Sequence, residues 1–347
     1  MGRVREEEER GNMAAEMTLT RRLGRSGIEV SAIGLGCWAI GGPNDVDTGE
    51  QLLPMGWGGV DDGESTRAIH RALDLGVTFF DTASNYGIGR SERVLGAALG
   101  ARRPSVVIAT KFATMVDEER RVVLGRVAMP PTETAVRRFL EGSLRRLSTD
   151  YIDLYQLHAG GYDIDDALVV RDILETLVSE GKIRWYGWST DDPARARVFA
   201  EGTHCTSVQH QLNAIFDAPE MLQVCDQFDL ASINKDPLRS GQLTGKFGAD
   251  SRFPEDDGRS GWDLASDAGS QRLAQIEALR PIFCRGGRSM AQGALAWILG
   301  RSPRSIPIPG FKTVSQVEDN AGILRLGPMS DDEVAEVELA LGRAAHA

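Results

Sequence analysis

One pattern constrains this chain more than any other. From Val30 onward a short apolar run rich in β-branched residues gives way to a loop of small and turn-forming residues, then to a stretch with helical spacing. The apolar runs fall at Ala32–Leu35, Val77–Phe80, Val106–Thr110, Tyr151–Leu157, Ile183–Gly187, Thr206–Gln209, Leu230–Ile233 and Ser305–Ile308. Helical spacing follows most of them, near 64–75, 91–99, 134–147, 166–180, 193–200, 219–228, 289–299 and 313–323. Eight such units in 347 residues predict an α/β fold, a (β/α)8 TIM barrel rather than a doubly wound sheet. An N-terminal β-hairpin is expected to turn at Gly24-Arg25-Ser26-Gly27. A C-terminal amphipathic helix is expected from Ser330, carrying Val334, Val337 and Leu339.

Residues 1–16, with Arg5-Glu6-Glu7-Glu8-Glu9-Arg10, have too little apolar surface to order themselves and read as a disordered extension. Met1, Met13 and Met17 each qualify as the start. No composition shift follows, so 17–347 is expected to be one domain. Two stretches interrupt the pattern: 41–63, rich in Gly and Asp around Trp57, and 247–270, with Phe253 and Trp262. Both follow strands, which places them on the rim of a barrel where loops cover substrates.

A formal charge of −11 and the absence of a basic block argue against nucleic acid and anionic membrane as partners, and point to a small molecule. Cys37, Cys205, Cys225 and Cys284 are too scattered for a zinc site or a disulfide framework and read as reduced thiols. There is neither a membrane-length apolar run nor an apolar signal core, so a cytoplasmic location is expected. Oligomeric state is left open.

Chemistry is expected where apolar strands run into polar residues. Phe79-Phe80-Asp81 opens into Thr82-Ala83-Ser84-Asn85-Tyr86-Gly87, and Ser91-Glu92 then begins a helix whose free N–H groups the Ser91 hydroxyl could cap. Val106 to Thr110 ends in Lys111, an ammonium whose burial requires an anionic partner such as Asp81. Tyr151 to Leu157 ends in His158. Gly34-Leu35-Gly36-Cys37-Trp38-Ala39 fits a loose GxGxxA pattern, but Gly41-Gly42-Pro43 stands where a phosphate-binding helix would start, which disfavours a Rossmann turn.

The 79–92 stretch, with Lys111 and His158 in order behind it, resembles the signature of the aldo-keto reductases, potassium-channel β-subunit-like long-chain members included. The resemblance spans about 18–325. It implies a catalytic tetrad of Asp81, Tyr86, Lys111 and His158, with Tyr86 as proton donor, Lys111 and Asp81 tuning its pKa downward, and His158 orienting the substrate oxygen. It implies NADPH-dependent reduction of an aldehyde or ketone without a metal. Lys235-Asp236-Pro237-Leu238, Ser240, Gly241 and Lys246 resemble the loop over the cofactor diphosphate, with Lys235 where the family commonly has an aromatic. Gly310, Phe311, Lys312, Gln316, Asp319 and Asn320 resemble the adenosine end, where Lys312 and the following helix N-terminus would meet a 2′-phosphate and favour NADPH over NADH. Ser189, Thr190 and Gln209 fall where the carboxamide is held, and Trp38 is set beside the cofactor. Trp38, Trp57, Trp188 and Trp262 could wall an aromatic pocket. The resemblance also admits a non-enzymatic, NADPH-sensing regulatory subunit on the same barrel; the intact tetrad favours the enzyme.

Overall fold

The apolar runs show little alternation because both of their faces are covered: every residue of Val107–Phe112 and of Ile152–Leu157 is buried. The computed structural model describes residues 19–125 and 127–343. The expected extension at 1–16 and the choice of start residue therefore lie outside the described residues. The strands are β1 (Thr20–Arg22), β2 (Glu29–Ser31), β3 (Leu35–Gly36), β4 (Asn44–Asp47), β5 (Leu52–Met55), β6 (Phe79–Asp81), β7 (Val107–Phe112), β8 (Val116–Asp117), β9 (Val122–Leu124), β10 (Ile152–Leu157), β11 (Ile183–Ser189), β12 (Cys205–Gln211), β13 (Ala231–Lys235) and β14 (Ser305–Pro307). The helices are α1 (Asp62–Asp74), α2 (Arg90–Leu99), α3 (Glu133–Leu147), α4 (Ile164–Ser179), α5 (Pro193–Ala200), α6 (Pro219–Gln227), α7 (Asp267–Phe283), α8 (Met290–Arg301), α9 (Val314–Ala321), α10 (Ile323–Leu326) and α11 (Asp331–Ala340).

Eight strands form one parallel sheet in the order β14-β13-β12-β11-β10-β7-β6-β3. Its two outer strands meet: Gly34 N–H donates to Pro307 O and Gly36 N–H to Pro309 O, each at 3.0 Å. This is the expected (β/α)8 barrel. Its interior is packed by Phe79, Val107, Ala109, Leu154, Ile233 and Ile306, while a larger apolar layer lies between sheet and helices. The hairpin β1–β2 adds Leu23 and Val30 to the interior cluster and closes one mouth. Gly24 permits that approach, since a Cβ there would lie 2.1 Å from Thr206 O.

Four of the eight barrel strands begin a residue or two later than expected, and five run on into their polar ends, because the backbone ladder continues whatever the side chain. Two features differ in kind. The 41–63 insertion is a hairpin, β4–β5, joined through β9 to β8 in a separate four-stranded sheet. Helix α7 follows the second insertion where no helix was expected. The insertions meet, Gly258 N–H donating to Gly56 O at 2.9 Å. The cysteines are free thiols, three of them buried. Among the described residues no helix is long and apolar enough to cross a membrane.

Candidate active site

The period of two along each strand carries the barrel's inward face directly into polar residues. Phe79 is followed on that face by Asp81, Ala109 by Lys111, and Leu154 by Gln156. The Lys111 ammonium donates to Asp81 Oδ1 at 2.5 Å, Tyr86 Oη at 2.8 Å and Thr82 O at 2.9 Å. All three donors of a fully buried lysine are thereby engaged. Asp81 Oδ2 accepts amide N–H groups from Gln209 at 2.8 Å and Gln156 at 3.3 Å. A buried ion pair of this kind survives because its remaining lone pairs are satisfied.

The loop holding Tyr86 is pinned from both sides. Gly87, at φ 56°, lies against Gly41, and a Cβ there would come 1.9 Å from Gly41 O. Ser91 does not cap the helix as its sequence position suggested. Helix α2 starts after Gly89 without a side-chain cap, and the Ser91 hydroxyl donates to Cys37 O at 2.7 Å and accepts from Thr82 Oγ1 at 2.8 Å. Tying the loop to β3 competes successfully for that hydroxyl. Glu92, fully buried, accepts from Thr110 Oγ1 and Arg146 Nε, both at 2.6 Å, and so fixes α2 against β7 and α3.

His158 meets Tyr86 edge-on, ring centroids 5.9 Å apart. Its Nδ1 lies 3.2 Å from Asn85 Oδ1. Burial, reinforced by the charges of Lys111 and Lys235, holds this imidazole well below its ordinary pKa, so it is neutral at neutral pH. For Tyr86 the expected lowering is overturned. Burial pushes the phenol above its ordinary value and outweighs the pull of Lys111, because a phenolate loses more by leaving water than one ammonium returns. Burial alone would lower Lys111, but Asp81 and Tyr86 together raise it and keep it an ammonium.

Beside these groups lies a cavity of about 780 Å³, reaching from Tyr86 and His158 to Lys312, Asp319 and Asn320. Of the residues expected at the cofactor, Trp38, Asp81, Gln209, Lys235, Asp236, Pro237, Leu238, Ser240, Gly241, Lys246, Gly310, Phe311, Lys312, Gln316, Asp319 and Asn320 line it. Ser189 and Thr190 do not. The Thr190 hydroxyl donates to Gly160 O at 3.0 Å and accepts from Asp192 N–H, tying down its own loop. Only Trp38 and Trp57 of the four tryptophans reach the cavity. Trp38 stacks between Trp57 and Tyr86, 5.6 Å from each. Trp188 is core, packed on Phe199, and Trp262 packs on Phe253.

Several of the lining residues also make internal contacts. Asp236 Oδ1 accepts from Ser240 N–H, and Oδ2 from Gln211 Nε2 at 3.1 Å, shaping a loop in which Asp236, Arg239 and Ser240 all have φ near 50°. Lys235 pairs with Asp191 at 2.9 Å. Gln316 Oε1 accepts from Lys312 N–H at 2.7 Å. The N-terminus of α9, expected to greet an anion, already has one: Val314 N–H donates to Glu64 Oε1 at 2.9 Å. Glu64 and Gln156 belong to no motif, although counting in twos from Leu154 reaches Gln156.

A family model for the aldo/keto reductases matches residues 32–341. The chain belongs to the aldo/keto reductase family. It is 31% identical to the aldo-keto reductase YhdN of Bacillus subtilis over 84% of this chain and 85% of that protein. It is 32% identical to the chloroplastic pyridoxal reductase of Arabidopsis thaliana over 90% of this chain and 84% of that one. Among solved structures, the glycerol dehydrogenase AKR11B4 of Gluconobacter oxydans superposes with a TM-score of 0.78 at 30% identity, covering 93% of this chain and 95% of its own. A Klebsiella pneumoniae aldo-keto reductase in complex with NADPH gives 0.67 at 25%, covering 95% and 98%. Membership makes the chain an oxidoreductase on a (β/α)8 barrel.

Proposed function

We propose that this aldo/keto reductase reduces an aldehyde or ketone to the alcohol with NADPH. The observation that carries the reading is a buried ammonium bonded at once to a carboxylate and to a phenol facing an open cavity. The residues present suit such a cofactor. The cavity extends well beyond what a small carbonyl needs, Lys246 and Lys312 stand on its wall, and the left-handed backbone at 239–241 is of the kind that cradles phosphate. Lys246 with residues 236–241 would hold the diphosphate, and 310–320 the adenosine end. When bound, the reduced nicotinamide supplies the hydride.

This chain's own residues then manage the proton. The raised pKa of Tyr86 keeps its phenol protonated at neutral pH, which is what a donor to a carbonyl oxygen requires. As the proton leaves, the developing phenolate is met by the Lys111 ammonium 2.8 Å away, already oriented by Asp81. His158, being neutral, orients the substrate oxygen by hydrogen bonding and leaves proton donation to Tyr86. Trp38 and Trp57 wall the approach and exclude water.

Following NADPH absorbance over a panel of aldehydes, α-dicarbonyls and ketones, with pyridoxal included and glycerol as a reverse substrate, tests the reading. Tyr86→Phe is expected to lower turnover by roughly 100-fold or more while NADPH still binds. Unchanged turnover in that variant would remove Tyr86 from the role. A wild type that binds NADPH and reduces nothing would favour the regulatory reading instead.

A further inference from the structure

The surroundings of His158 decide which of its nitrogens carries the hydrogen. Its backbone N–H donates to Phe112 O, at the end of β7, at 2.8 Å. Its Nδ1 faces two oxygens. One is Oδ1 of the buried Asn85, 3.2 Å away in the loop after β6; the other is Thr114 Oγ1, 3.4 Å away in the loop after β7. Thr114 has a single hydroxyl hydrogen, and it is committed elsewhere, since that hydroxyl donates to His158 O at 2.9 Å. Both oxygens therefore offer lone pairs to Nδ1.

A neutral imidazole carries one N–H, and burial beside Lys111 and Lys235 keeps this ring neutral. Two acceptors at Nδ1 draw the hydrogen there, because a bare Nδ1 would set its own lone pair against theirs. Nε2 is left as an acceptor. Among the described residues nothing bonds to it, and it opens onto the cavity that His158 lines beside Tyr86. A carbonyl oxygen has no hydrogen to give such an acceptor, whereas a hydroxyl has one. The Tyr86 phenol already supplies the donor for the carbonyl. Phenol and imidazole meet edge-on with centroids 5.9 Å apart, close enough to divide between them two oxygens on adjacent carbons.

We propose that Asn85 and Thr114 hold His158 as its Nδ1–H tautomer, so that Nε2 accepts from a hydroxyl next to the reacting carbonyl, and that the preferred substrates are α-hydroxy aldehydes and ketones. This rests on the reductase reading above. It narrows the oxygen that His158 orients to that of a hydroxyl, and makes Asn85 a positioning residue that acts through the imidazole.

The test compares kcat/KM with NADPH for hydroxyacetone, butan-2-one and methoxyacetone. Butan-2-one matches the size of hydroxyacetone, and methoxyacetone keeps the electron withdrawal of the α-oxygen but has no hydrogen on it. Wild type is expected to favour hydroxyacetone over both by roughly 10-fold. In Asn85→Val/Thr114→Val the ring is free to hold its hydrogen on Nε2, and the preference should shrink to about 2-fold or less; Asn85→Asp, which keeps an acceptor at Nδ1, should retain it. Asn85→Val alone serves if the double variant loses its folded circular dichroism. Two-bond 1H–15N spectra of the imidazoles, with the His158 signals identified by their loss in His158→Gln, should show a protonated Nδ1 and a bare Nε2 in the wild type. A hydrogen on Nε2 would overturn the proposal. So would equal kcat/KM for the three ketones, or a preference that survives the loss of both oxygens, and each of these leaves the reductase reading standing. A wild type that reduces no carbonyl at all would overturn both.

Discussion

Lys111→Met would strand Asp81 inside the barrel. The carboxylate is 1% exposed, and its cationic partner at 2.5 Å would be gone, leaving two neutral amides as donors. Breaking a buried pair from one side costs about 3–5 kcal/mol. A chain of this length has an unfolding entropy on the order of 0.7 kcal/mol per °C, so the thermal midpoint should fall by roughly 4–7 °C. Asp81→Asn strands the ammonium and should cost a similar amount. The double variant Asp81→Asn/Lys111→Met removes both charges and should recover most of the loss, a coupling of about 3 kcal/mol or more in the cycle. Turnover should not recover. An ammonium 2.8 Å from the phenol oxygen contributes up to about 6 kcal/mol to a developing phenolate at an effective dielectric constant near 20. Thermal and urea unfolding followed by circular dichroism, beside NADPH-coupled turnover, read both quantities. Losses that simply add to within about 0.5 kcal/mol would refute the ion-pair argument. Restored turnover in the double variant would refute the catalytic one.

Two further outcomes follow from the same packing. Gly87→Ala forces a Cβ to within 1.9 Å of Gly41 O at a φ of 56°; it should destabilise by about 2 kcal/mol or more and lower kcat well beyond any change in NADPH affinity, because Tyr86 is the residue displaced. His210 is buried, its Nδ1–H donating to Gln211 O and its Nε2 accepting from Ser232 Oγ, with Asp191, Lys235 and Asp217 around it, and burial holds its pKa down to about 4 against an ordinary 6.5. The neutral ring therefore adds stability that is fully present above pH 6.5 and is lost as pH falls toward 4, about 3 kcal/mol in all. His210→Gln should flatten stability against pH across that window, as read by urea midpoints; an unchanged profile would count against burial as the cause.

The barrel was legible because its strands are covered on both faces and so read as unbroken apolar runs, each closed by turn-forming residues. Asp81, Tyr86, Lys111 and His158 were legible for a related reason: each stands where such a run ends or the loop just beyond it, and local pattern alone says where a strand stops. The small sheet of β4, β5, β8 and β9 was not legible, since its strands are short, partly polar and paired across a long sequence separation. Nor were the supports, Gln156 and Gln209 on Asp81, Glu92 between Thr110 and Arg146, and Asp236 within its own loop. A polar residue at a strand end looks the same whether it faces a ligand or braces a neighbour.

Two reversals show most clearly what tertiary structure decides. The charge on Lys111 suggests an acidified Tyr86, but how far the phenol is removed from water sets the balance, and burial wins. The start of α9 suggests an anion site, but Glu64 arrives from a helix some 250 residues earlier and takes the Val314 N–H. Arg259, on the second insertion, lines the same cavity while stacked on Trp57 of the first. Sequence determined which chemical groups this protein carries and the order in which the strands present them. Desolvation and long-range contact, which depend on everything packed around a group, decided which of those groups remain available to a ligand.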